Sequence, residues 1–104
     1  MEAEALEARR KLSAALFGNR ALAEVISAIN HLTAQGDPLV TTRTVATAAN
    51  LGDSVVRPVM LRLDAAGLIE AQPRTSGPRS TLHYQVQRGE LWSALHALVE
   101  ALAA

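Results

Sequence analysis

A chain of 104 residues with 49% hydrophobic content has the size of one domain and can bury one small core. A single Trp, a single Tyr and a single Phe leave that core to Leu, Val, Ile and Ala, and the absence of cysteine excludes a disulfide framework, a thiolate metal site and a cysteine nucleophile. Formal net charge is zero, yet it is unevenly spread. Between Thr41 and Gly89, six basic residues (Arg43, Arg57, Arg62, Arg74, Arg79, Arg88) face three acidic ones (Asp53, Asp64, Glu70), an excess of three positive charges. The two ends carry the opposite excess. An asymmetry of this sign directs attention to the middle of the chain as a surface for a polyanion.

In chain order, Glu2 to Leu16 is an Ala/Leu/Glu/Arg segment of high helix propensity, with acid first and base later, as the helix dipole favours. Glu7 and Lys11 stand at the spacing of an i,i+4 ion pair. Ala5, Ala8, Leu12, Ala15 and Leu16 form a thin apolar stripe that calls for a partner helix. The start MEAEALEARR is acidic and helical, unlike a secretory signal, and no apolar run has the length of a membrane span, so a cytoplasmic location is expected. Gly18 is suited to close the first helix and Asn19 to cap the next. A second helix from about Arg20 to Ala34 places Leu22, Val25, Ile26, Ile29 and Leu32 on one face. Gly36, Asp37 and Pro38 stop it, and Leu39-Val40-Thr41 is a short extended piece.

The stretch from Thr41 to Leu68 reads as two helices joined by a tight turn. Thr41 or Thr42 caps the first, in which Val45, Ala46 and Ala49 keep helical spacing. Leu51-Gly52-Asp53 turns the chain. Asp53 or Ser54 then caps a helix from about Ser54 to Ala66, with Val56, Met60 and Leu63 inward and Pro58 in or just past its first turn. Gly67 ends it. A helix, a Gly-containing turn and a second helix with a basic outer edge make a helix-turn-helix, whose second member has the width of the DNA major groove. From Leu68 the period changes to two. Ile69–Gln72 and Thr81–Val86 are expected as strands of a hairpin, and the connecting Pro73–Ser80 carries Arg74 and Arg79 about a Gly-Pro turn, the form of a basic wing. Gly89 to Ala104 returns to helix, with Leu91, Trp92, Leu95, Leu98, Val99 and Leu102 on a broad apolar face.

The passage Arg62-Leu63-Asp64-Ala65-Ala66-Gly67-Leu68-Ile69 resembles the R-L-x-x-x-G-L-[IV] run from recognition helix to first wing strand in winged helix-turn-helix regulators of the MarR-like and ArsR-like groups. Val45-Ala46, Leu51-Gly52 and Ser54 are similar to the approach to that helix. The likeness covers Asn19 to Val86. It implies a mainly α fold with a small β-hairpin, a winged helix-turn-helix with additional N- and C-terminal helices, in one domain (1–104) divided into 1–17, 19–88 and 89–104. It also implies a homodimer through the terminal helices on a pseudo-palindromic double-stranded DNA site. ArsR-like metal sensing often uses cysteines, which this chain lacks.

Candidate DNA contacts follow from position. Arg57 is the first choice for a base, since arginine to guanine is the commonest specific pairing, or else it meets a phosphate. Ser54 bonds a phosphate or caps its helix. Val55 meets a thymine methyl or is a plain exposed residue, and Pro58, Leu61 and Arg62 share the outward side. Thr41, Thr42 and Arg43 stand where the first helix of the pair would cross the backbone. Arg74 and Arg79 would reach phosphates or a minor groove. His31, His83 and His96 lack metal-ligand spacing, and no phosphate loop, paired carboxylate or nucleophile elbow is present, so neither metal, cofactor nor enzymatic activity is expected. Two other readings compete. Val55, Pro58 and Leu61 suit a protein-binding patch on an interaction module without DNA binding. A pocket between the core and the terminal helices would suit an effector, for which the sequence names no ligand.

Overall fold

The computed structural model describes residues 2–36, 38–73 and 81–103. Five helices and three short strands follow in the order α1 (Ala3–Phe17), α2 (Leu22–Ala34), β1 (Leu39–Val40), α3 (Thr42–Ala49), α4 (Asp53–Ala65), β2 (Ile69–Ala71), β3 (Tyr84–Val86) and α5 (Glu90–Leu102). The fold is mainly helical with one small sheet.

α2 is the central element, packed against α1, α3, α4, α5 and β1. Val25, Ile26 and Ile29 are fully buried, and Leu32 is partly so. They meet Val45 of α3, Val56, Val59 and Met60 of α4, and Val99 of α5, all fully buried as well. Each such side chain contributes on the order of 1.5–3 kcal/mol of burial. Val59 joins the expected inward set of α4 because it stands next to Leu63 on the helical wheel, at the edge of the inward face away from Met60.

The sheet is larger than the expected hairpin. Its strand order is β1-β3-β2, all antiparallel, with Leu39 opposite Gln85 and Val40 opposite Tyr84 on one side of β3. On the other side Ile69 faces Val86 and Ala71 faces Tyr84. The extended piece after α2 is therefore an edge strand. β3 is shorter than the period-two run, although Gln72 N–H donates to the His83 carbonyl at 2.8 Å and carries the pairing one step further.

Most helix boundaries lie within two residues of the expected ones, and their ends have identifiable causes. α1 closes on Gly18 at φ +71°. Asn19 does not cap α2 as expected: the cap is Ala21, without a side-chain cap bond, and the Asn19 side chain instead accepts from Ala21 N–H at 2.8 Å in the preceding turn. Thr41, not Thr42, caps α3: its hydroxyl accepts from Thr44 N–H at 3.0 Å, and the Thr44 hydroxyl accepts from Thr41 N–H at 2.9 Å. Asn50 takes the left-handed conformation that ends α3. At the end of α4, Gly67 at φ +78° lets Leu68 N–H reach the Leu63 carbonyl at 2.9 Å while both leucines stay buried, a Schellman closure.

Three further sequence expectations are corrected. The cap of α4 is Gly52, with no side-chain hydrogen bond, and Asp53 and Ser54 lie inside the helix. The Asp53 carboxylate is instead turned toward Arg43. Pro58, by contrast, stands just past the first turn as expected: it is the sixth residue of α4, so the Ser54 carbonyl lacks its i+4 donor. Glu7 does not pair with Lys11: Arg20 donates to both its carboxylate oxygens at 3.1 Å. Finally, α1 docks through its polar side. Arg9 and Ser13 are buried, whereas Ala5, Ala8, Leu12, Ala15 and Leu16 face outward.

Polar fasteners hold α1 in that orientation. Ser13 donates to the Asn19 carbonyl at 2.6 Å and accepts from Ala23 N–H at 3.1 Å. Arg10 grips Glu24 through two nitrogens, and this hydrogen-bonded contact raises its guanidinium above the usual arginine pKa. α5 closes the other side of α2, with Trp92 buried and His96 3.2 Å from Glu100. Arg88 donates to Thr33 at 3.0 Å, tying the end of the sheet to the end of α2. No single helix among the described residues is long and apolar enough to cross a membrane.

Candidate nucleic-acid interface

α3 and α4 are joined by three residues, Asn50 to Gly52, and pack on each other through the buried faces described above. The four inward residues of α4 occupy one side of its wheel. Ser54, Pro58, Leu61 and Ala65 therefore line the opposite, outermost side, with Arg57 on one flank and Val55 and Arg62 on the other. All seven are exposed.

The N-terminus of α3, the Arg57 flank of α4 and the start of β3 enclose a groove of about 390 Å³. It gathers four sequence candidates, Thr41, Thr42, Arg43 and Arg57, and adds Asp53, Leu61 and Tyr84. Asp53 and Arg57 share this groove because they are one turn apart, a spacing visible in the sequence. The long-range arrival of Tyr84 has no local signal.

The members of the groove differ in what they can still do. Thr41 is 7% exposed and its hydroxyl serves the α3 cap, so its role is structural. The first-turn amides of Thr42 and Arg43 have no acceptor within the helix, and they sit at its positive end. Arg43 lies 3.6 Å from Asp53, with the two side chains 80% and 45% exposed. A pair that exposed holds its partners weakly and yields to a competing phosphate. Arg57 makes no hydrogen bond or ion pair among the described residues.

Arg62 is committed elsewhere. Its Nη2 donates to the Phe17 carbonyl at 2.8 Å, the last carbonyl of α1, where a cation is favoured. Ser54, Val55 and Pro58 stay on the outer side of α4, outside the groove. Arg74 and Arg79 lie outside the described residues. No group of three or more His, Asp or Glu side chains among the described residues is arranged to hold a metal ion. Comparison with protein-family models, curated proteins and solved structures gives no match.

Proposed function

We propose that the chain is a winged helix-turn-helix regulator that binds double-stranded DNA as a homodimer. In this reading α4 lies in the major groove, the β2–β3 hairpin and its loop serve as the wing, and α1 and α5 supply the dimer contact. The observation that carries it is the groove in which Arg57 and the amide end of α3, with Arg43, converge beside an α4 whose outermost residues, Ser54, Pro58, Leu61 and Ala65, are exposed. Arg57 would read a base edge while Arg43 and the α3 amides hold phosphates.

A fluorescence-polarisation titration on random duplex across a salt series tests it. Four to eight phosphate contacts per dimer give a log–log slope of about −4 to −7. No binding at low salt sinks the proposal.

A second reading has its own support. The outermost line of α4 is uncharged, with Leu61 57% exposed on it and Val55 45% exposed on its flank, which suits a protein-binding module. Absence of DNA binding together with a partner lost on Leu61→Glu would establish that alternative.

A further inference from the structure

A cavity of about 330 Å³ lies between α1, α2 and α3. Its apolar wall comes from Leu6, Ala28 and Ala48, and its polar wall includes Arg9, Arg10, Glu24 and Asn50. The charges on that wall do not cancel. Arg10 and Glu24 neutralise each other in a two-nitrogen contact. Arg9 is left over: it is 8% exposed and has no carboxylate within 4 Å among the described residues. Among the described residues only its Nη2 donates, to the Ser27 hydroxyl and, at 3.5 Å, to the Ala23 carbonyl, and its Nε is buried with no acceptor there. Glu100 is reached only through Ser27, whose hydroxyl donates to it at 3.2 Å.

A buried guanidinium without a counter-ion carries a desolvation cost that an incoming anion would offset. Inside a half-closed, partly apolar space, that anion forms charge-assisted hydrogen bonds stronger than those it makes in water. We propose that this cavity binds a small organic carboxylate, its charge against Arg9 and its short apolar body against Leu6, Ala28 and Ala48. The occupant would touch α1 on one side and Asn50, at the turn into α4, on the other. On the DNA-binding reading above, it would thereby link the outer helix to the reading helix.

The test is made on the protein alone, so a failure of DNA binding leaves it standing. Hexanoate, its neutral counterpart hexanamide and inorganic phosphate are titrated into the full chain by heteronuclear NMR. Hexanoate is expected to shift the amides of Ala28, Ala48 and Asn50 saturably, with hexanamide about tenfold or more weaker, the size of one lost charge-assisted hydrogen bond. Arg9→Met should abolish the preference for hexanoate over hexanamide. Ala48→Leu, which keeps Arg9 and fills the apolar end, should weaken hexanoate even if the arginine variant fails to fold. Equal binding of acid and amide, phosphate binding as tight as hexanoate, or no saturable shift with any probe would overturn the proposal.

Discussion

Ser13 shows how much one small polar residue holds in this chain. It is fully buried, and its hydroxyl both donates to the Asn19 carbonyl and accepts from Ala23 N–H. Ser13→Ala leaves two backbone groups in a buried corner without partners. We expect a loss of about 1–3 kcal/mol in urea unfolding, with the m-value unchanged. An unchanged midpoint would mean that water replaces the hydroxyl. Two arginines of α4 separate in the same residue-level terms. Arg57 has no partner within the described chain, so Arg57→Ala should cost about 1–3 kcal/mol of affinity at one operator position if it reads a base. Uniform weakening on every duplex would make it a phosphate contact. Arg62 holds the last carbonyl of α1, so Arg62→Ala should lower stability by up to about 1 kcal/mol instead. Sequence spacing puts both arginines on the outer side of α4. It does not show which one meets a carbonyl 45 residues earlier in the chain.

At the scale of elements, α4 carries a built-in defect. Pro58 is its sixth residue, so the helix continues past a position that lacks an N–H and crowds the Ser54 carbonyl. Pro58 is exposed, and alanine there restores the missing hydrogen bond without disturbing the core. Pro58→Ala should raise stability by about 1–2 kcal/mol, less than the full interior-proline penalty because the unfolded chain regains freedom. The thermal midpoint should rise by roughly 4–8 °C per kcal/mol. A lower midpoint would show that the proline fixes the start of α4 in a way the hydrogen-bond count misses. The helices themselves were legible in the sequence, because α2 and α4 follow a 3.6-residue period and Gly18 and Gly67 punctuate it. β1 was not legible as a strand: two residues carry no period, and only β3, more than forty residues on, makes them part of a sheet. The side of α1 that faces the domain was also hidden. Hydrophobic pattern alone would turn Leu12 and Leu16 inward, whereas Arg9, Arg10 and Ser13 find polar partners on α2 and in the α1–α2 turn that no local rule anticipates.

For the molecule as a whole, that orientation leaves apolar surface open on both terminal helices. Leu12 and Leu16 of α1 are 45% and 57% exposed, and Leu91 and Leu98 of α5 are 62% and 43% exposed. α1 and α5 also pack against each other, so two of these faces belong to one end of the fold. If they are the dimer contact proposed above, association and folding are linked. The thermal midpoint of the wild type should then rise with protein concentration, and sedimentation should give a dimer at high micromolar concentration. Leu12→Glu with Leu98→Glu should yield a monomer whose midpoint no longer depends on concentration. Both side chains stand outside the core, so the double variant should keep its helical content, and any lost DNA affinity would trace to lost pairing of the two reading helices. A wild type that sediments as a monomer at every concentration would remove the dimer from the proposal and leave a single α4 to bind alone. That outcome would favour the protein-binding reading, because about two to four phosphate contacts hold duplex DNA only at low salt.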